Sequence, residues 1–148
     1  MPEKETLRRA AKDKAEGKSP STQAGEFVHE EIEHIREGKH GARSAKQAIA
    51  IGLAKARRAG VKLPAPEKGE APKETREQAK RDLKRRKKAA KKKPSAKRSR
   101  AALNKLKREG RSAASKTALS RQAHKAAAKR STASRSRSAK KAAATRKK

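Results

Sequence analysis

The sequence predicts an all-α protein: a small antiparallel αα-hairpin followed by a long basic tail that is disordered or loosely helical. Two observations carry this prediction. Charged residues make up 41% of the 148 residues, and hydrophobic residues only 31%. Phe27 is the only aromatic residue, and the large aliphatic residues concentrate between residues 27 and 63. Since little large apolar surface is available to offset the entropy of ordering the chain, we expect only that segment to form a core.

The first twenty residues mix acidic and basic side chains and predict a flexible or helical N-terminal arm. The hairpin is predicted over residues 21–63. Its first helix begins near Ser21 or Thr22, because Val28, Ile32 and Ile35 follow the i, i+4, i+7 spacing of one apolar helix face. Gly38 is placed to end this helix.

The second helix has a clearer beginning. Ser44, with Gln47 three residues later, has the spacing of a capping box. Ala48, Gly52 and Ala56 then share one face, and we expect Gly52 to allow a close approach of the first helix. Gly60 followed by an apolar residue resembles a Schellman ending. The short connection between the two helices favours an antiparallel pair.

A proline-rich linker is predicted at residues 64–73, and a nucleic-acid-binding tail at residues 74–148. Residues 80–148 contain 29 Lys and Arg but only two acidic residues, so this segment carries most of the chain's formal net charge of +31. Lys and Arg neutralise phosphates and release counterions, which gives affinity without sequence reading. The predicted phosphate-contacting residues are Lys46, Arg57, Arg58, Lys80, Arg81, Lys84, Arg85, Arg86, Lys87, Lys88, Lys91, Lys92, Lys93, Lys97, Arg98, Arg100, Lys105, Lys107 and Arg108.

Duplex DNA is the predicted partner, with structured RNA as the alternative. Readers of single strands and of RNA sequence rely on aromatic stacking, for which this chain has only one Phe. Membrane binding would need apolar anchors beside the charge, which the tail lacks. No secretory signal is visible, and the apolar runs are too short to span a bilayer. Self-association of the hairpin, or an adaptor role in which the hairpin docks a protein partner, stays open.

No enzyme, cofactor or metal site is predicted. The stretch from His29 to His40 combines three histidines with four glutamates, but His29 and His34 lie five residues apart. On a regular helix that spacing separates them by about 140°, so they cannot share one metal ion. The absence of cysteine excludes thiolate sites and disulfide bonds. We expect this stretch to be a solvated acidic helix face that opposes the basic second helix.

Two resemblances add to this reading. Residues 27–60 resemble a family of short, basic, largely uncharacterised bacterial proteins whose motif is S-x-K-Q-A-I-A-I-(A/G)-L-x-x-A-R, matched from Ser44 to Arg57. Some members of that family carry a plasmid-stabilisation label. The tail resembles the Lys/Ala-rich tails of bacterial histone H1-like proteins. The resemblances imply a bacterial, cytoplasmic, nucleoid-associated protein, linked to plasmid or chromosome maintenance, that compacts DNA.

Overall fold

The computed structural model describes residues 2–66, 72–88 and 95–146, and every regular element in those ranges is helical. The all-α prediction is therefore confirmed for this part of the chain. The elements in chain order are α1 (Lys4–Ala15), α2 (Pro20–Arg36), α3 (Ala45–Ala59), α4 (Lys73–Lys88), α5 (Ala96–Lys107), a short 3-10 turn (Ser112–Ala114), α6 (Lys116–Ala128) and α7 (Thr132–Arg146).

Helices α2 and α3 form the antiparallel hairpin. Helix α2 begins one residue before the predicted range, because Ser19 is the N-cap and Pro20 occupies the first helical position. Proline suits that position, since its missing N–H has no partner within a helix in any case. The Ser19 hydroxyl accepts from the Thr22 N–H at 3.4 Å. Ser21 and Thr22 therefore lie inside the first turn.

The predicted ends of the hairpin helices are confirmed. After α2, Gly38 has a φ of +79°, and the Lys39 N–H donates to the His34 carbonyl at 2.9 Å. The Ser44 hydroxyl accepts from the Gln47 N–H at 3.2 Å at the beginning of α3. After α3, Gly60 has a φ of +106°. These caps satisfy backbone groups that a helix end leaves without a helical partner.

The close approach predicted at Gly52 is present. A Cβ at this position would lie 2.6 Å from the Val28 Cα and 3.0 Å from the Phe27 carbonyl oxygen. The two helix backbones therefore touch at this crossing, and only glycine leaves room for the contact.

Two small apolar clusters flank the crossing. One combines Phe27 and Ala24 of α2 with Ala56 of α3, and reaches Ala10 of α1. The N-terminal arm is thus helical in residues 4–15 and packs on α2. An ion pair between Arg9 and Glu26, 2.7 Å apart, joins these two helices.

The second cluster corrects the prediction of a separate, disordered tail. Ala113 and Ala114, in the 3-10 turn, are 4% and 1% exposed and pack with Ile32, Ile35 and Ala48 of the hairpin. The distribution of large apolar residues in the sequence did not predict this contact, because the 3-10 turn contributes only alanine methyl groups to the cluster. The tail therefore contributes to the core.

Backbone contacts hold the tail against the hairpin connection. The Gly41 N–H donates to the Leu106 carbonyl at 2.9 Å, and the Ala42 N–H donates to the Gly110 carbonyl at 3.1 Å. Helix α4 also packs on α3 and buries Ala79. Residues 67–71 of the predicted linker, and residues 89–94 and 147–148 of the predicted tail, lie outside the described ranges.

Candidate nucleic-acid interface

An open cleft of about 420 Å³ lies between the beginning of α3 and helix α6. Four cationic side chains line it: Arg43 and Lys46 from the hairpin, and Arg121 and Lys125 from α6. The tail cations thus lie beside the hairpin cations because the 3-10 turn is held in the core. We call this set of residues the basic cleft. Of its four cations, only Lys46 is among the individual phosphate-contacting residues predicted from the sequence, although Arg121 and Lys125 belong to the predicted nucleic-acid-binding tail.

The N-termini of two helices open into the basic cleft. Ser44 caps α3 and Ser115 caps α6, and both residues line the cleft. The Ser115 hydroxyl accepts from the Ala118 N–H at 3.2 Å. Neither helix has an acidic residue in its first turn. The positive ends of two helix dipoles therefore add to the four side-chain charges.

Only one carboxylate contacts the cations of the basic cleft among the described residues. The Glu109 Oε1 lies 3.9 Å from the Arg43 Nε, and the Arg43 side chain is 75% exposed. A pair at that distance and exposure is weak. The four cations are therefore available to an anion from solution.

Other predicted phosphate-contacting residues lie on exposed faces of the tail helices. On α4, Arg81 has a distant partner, with its Nη2 3.8 Å from the Glu77 Oε2. Helix α5 carries a denser row, and Glu109 is the only acidic residue between positions 95 and 146. The exposed members of the predicted set in the tail are Lys80, Arg81, Lys84, Lys97, Arg98, Arg100, Lys105, Lys107 and Arg108.

The prediction for Arg57 is wrong. Its side chain is 6% exposed, and its Nη2 donates to the Pro64 carbonyl at 3.3 Å. Burial lowers the pKa of the Arg57 guanidinium, an effect that the charge of Asp82 partly opposes. Asp82 also lies 3.7 Å from the exposed Arg58. Arg57 therefore serves the packing of α3 against α4 and cannot reach a phosphate at the surface.

Several predicted residues are described only in part. Arg85, Arg86, Lys87 and Lys88 belong to the last turns of α4 by their backbone. Lys91, Lys92 and Lys93 lie outside the described residues.

The prediction of a solvated acidic face on α2 is wrong for two of its members. Glu30 and Glu31 are 4% and 1% exposed. Lys55 of α3 lies between them, with its Nζ 3.3 Å from the Glu30 Oε1 and 2.5 Å from the Glu31 Oε2. Hence the predicted charge pairing of the two helices does occur, but it is buried in the hairpin interface.

The partners of Glu30 in this interface favour its ionised form. Burial opposes its charge, but hydrogen bonds from the Thr6 side chain and the Glu3 N–H, with Lys55, outweigh that effect and lower the Glu30 pKa. Carboxylates are expensive to bury without such partners. Glu30 is therefore paired within the hairpin interface.

A model for a family of unknown function (DUF6496) matches residues 13–68. This segment covers the hairpin and the end of α1, which is less than half of the chain. No curated protein matches the chain, and no solved structure matches it either. The basic cleft lies partly outside the matched segment, because α6 supplies two of its cations.

Within the described residues, no helix has the length and apolar character needed to cross a membrane.

Proposed function

We propose that the protein binds duplex nucleic acid, DNA in particular, through the phosphate backbone and without reading base sequence. The observation that carries this proposal is the basic cleft, where four cations and two helix N-termini converge. Phosphate groups bind at helix N-termini because the N–H groups and the helix dipole both favour negative charge. Two such ends beside four cations suit adjacent phosphates of a nucleic-acid backbone.

The charges around the cleft are unfavourable without an anion. Lys46 occupies the first turn of α3, and Lys116 begins α6. A cation beside the positive end of a helix dipole costs about 0.3–1 kcal/mol, and the same helix end favours an anion by a similar amount. A bound phosphate would therefore relieve repulsion at both helix ends.

The position of the only aromatic ring supports recognition of the backbone over recognition of bases. Phe27 is 1% exposed and belongs to the core. Single-strand binding relies on aromatic platforms, and this chain has neither Tyr nor Trp. Duplex binding through phosphates needs no such platform, and its affinity falls steeply with salt.

The test compares two full-length variants with equal change in charge. The cleft variant replaces Arg43, Lys46, Arg121 and Lys125 with Gln. The control variant replaces four exposed cations of α1 with Gln: Lys4, Arg8, Lys12 and Lys14. Fluorescence anisotropy of a labelled duplex, measured over a range of salt concentrations, gives the affinity and its salt slope.

Each phosphate contact contributes about 0.9 to the slope of log K against log salt. If every cleft cation binds a phosphate, the cleft variant loses roughly 3–4 units of slope, and the control variant loses less than about one. Equal slopes for the two variants would contradict the assignment to the cleft. Absence of duplex binding by the unmodified protein at low salt would contradict the proposed function itself.

Truncation at residue 79 is a poor substitute for these variants, because it also removes Ala113 and Ala114 from the core. Structured RNA offers the same phosphate chemistry. Competition between duplex DNA and duplex RNA of equal length distinguishes the two partners.

A further inference from the structure

Glu31, His34 and His40 come together where α2 ends. Each offers one ligand atom, and these atoms all lie within 4.8 Å of one another. Glu31 and His34 are three residues apart, which places them on adjacent turns of one helix face. His40 joins them because the chain turns back at Gly38. His29, on which the sequence argument depended, is exposed and takes no part.

The Oε1 atom of the buried Glu31 carboxylate has no hydrogen-bond donor among the described residues. Glu31 is 1% exposed, so its carboxylate is shielded from water. Lys55 lies at ion-pair distance from its Oε2, and the His40 Nε2 lies 3.3 Å from its Oε1. A buried carboxylate oxygen that accepts no hydrogen bond is costly. A cation bound at Oε1 would remove that cost and leave Lys55 at Oε2.

The contacts of His40 place one of its ring nitrogens beside this carboxylate. The His40 Nδ1 lies 3.2 Å from the Gly41 carbonyl oxygen, which can only accept, so Nδ1 carries the proton. In the neutral form of His40 with its proton on Nδ1, the Nε2 lone pair is available to a cation beside the Glu31 Oε1. Histidines that bind metals typically donate the other ring N–H to a carbonyl or a carboxylate in this manner.

His34 has a comparable partner. Its Nε2 lies 2.8 Å from the Glu3 Oε1, ahead of α1. Glu3 is placed either to orient the imidazole or to act as a further oxygen ligand. The last turn of α2, which holds His34, also carries the negative end of the helix dipole, which favours a cation.

We propose that Glu31, His34 and His40 bind a divalent transition-metal ion, for which Zn²⁺ has the best match. Zinc binds imidazole nitrogen and carboxylate oxygen at about 2.0–2.2 Å, so tetrahedral ligands lie roughly 3.3–3.6 Å apart. The 3.3 Å between the His40 Nε2 and the Glu31 Oε1 fits that spacing. The other separations in the cluster are at most 4.8 Å.

Such an ion would join the end of α2 to the connection that leads into α3. Small cores commonly need a metal or a disulfide for stability, and this chain has no cysteine. Because binding requires the folded arrangement of all three ligands, the ion stabilises that fold. The site is separate from the basic cleft and does not depend on nucleic-acid binding.

The test uses the full chain and Zn²⁺ alone. Isothermal titration calorimetry, with a chelator to establish the metal-free starting point, should give one ion per chain at submicromolar affinity. Replacing either His34 or His40 with Gln should weaken binding by about 100-fold or more, since even loss of an orienting partner costs 10–100-fold. The matched controls, His29→Gln and His124→Gln, change exposed histidines outside the cluster and should retain the wild-type affinity.

Glu3→Gln separates the two roles of Glu3: a loss of affinity within about 10–100-fold fits an orienting partner, and a larger loss fits a ligand. Circular dichroism of each variant shows whether its helices persist. The visible spectrum of the Co²⁺-loaded unmodified protein tests the coordination independently of any variant. Failure of the unmodified protein to bind Zn²⁺, or unchanged affinity in the His34 and His40 variants, would overturn the proposal.

Discussion

Adding a single methyl group at Gly52 should destabilise the protein, although the same change normally stabilises a helix. Replacing a helical glycine with alanine gains about 1 kcal/mol of intrinsic helix preference. Here the new Cβ would lie 2.6 Å from the Val28 Cα and 3.0 Å from the Phe27 carbonyl oxygen. Both are backbone atoms, so no side-chain rotation relieves the overlap, and α2 has to move away from α3.

Overpacking of a core costs about 1–3 kcal/mol, and contact with backbone places this site at the upper end of that range. Subtracting the gain in helix preference leaves Gly52→Ala less stable by about 2 kcal/mol. For a chain of 148 residues that corresponds to a fall in Tm of roughly 4–8 °C. Thermal unfolding, followed by the far-ultraviolet circular dichroism of the helices, measures the shift.

Gly25→Ala is the matched control. Gly25 also lies within a hairpin helix, but a Cβ there would meet no atom within 4 Å. This variant should gain about 0.5–1 kcal/mol of stability. A Gly52→Ala protein at least as stable as the unmodified protein would refute the packing argument for the hairpin crossing.

Three further predictions concern the core and its buried charge. Phe27→Ala should lower the free energy of unfolding in urea by about 3–5 kcal/mol, because Phe27 is the largest fully buried side chain of the described residues. A loss below about 1 kcal/mol would contradict a core at that position. Ala114→Asp places a charge at a 1% exposed position and should lower Tm. The control Ala123→Asp, at an exposed position, should change the free energy of unfolding by less than about 0.5 kcal/mol. Equal effects of the two variants would mean that the 3-10 turn does not pack in the core. Since its folded-state pKa is below the ordinary value of 4.5, Glu30 stabilises the fold above that pH, and this stabilisation is lost as the pH falls through the folded pKa. When unfolding is measured from neutral to acidic pH, Glu30→Gln should therefore lose less stability on acidification than the unmodified protein. Identical pH profiles of stability would contradict the pairing of Glu30.

The hairpin could be predicted from local signals. Its apolar positions repeat with helical period, and Ser44, Gly38 and Gly60 mark helix ends through chemistry confined to a few neighbouring residues. The predicted beginning of α2 was late by only a residue or two, since Ser19 and Pro20 give a better cap than Ser21. The local pattern also indicated the role of Gly52, because a glycine on an apolar helix face has few other uses.

The position of the tail could not be predicted in the same way. Ala113 and Ala114 are small residues in a segment rich in Lys, Arg and Ala, and nothing in their neighbourhood distinguishes them from exposed alanines such as Ala123. Their burial depends on a gap between α2 and α3 that exists only once the hairpin has formed. For the same reason, Arg121 and Lys125 were not linked to Lys46.

The tertiary structure likewise determines which charged side chains are buried and which are exposed. Arg57 and Arg58 are adjacent in sequence, but one is buried and the other exposed, because the helix rotates about 100° between them. Glu31 and His40 lie nine residues apart and meet only because the chain reverses after α2.

The sequence by itself determined the helical class, the hairpin with its caps, and the strong positive charge, since composition and short-range spacing decide these properties. The tertiary structure decided which cations share a cleft, which carboxylates are buried, and which histidines meet a glutamate. Those properties depend on distances between segments that are remote along the chain. Such distances are set by the packing of whole helix faces, which no local pattern records.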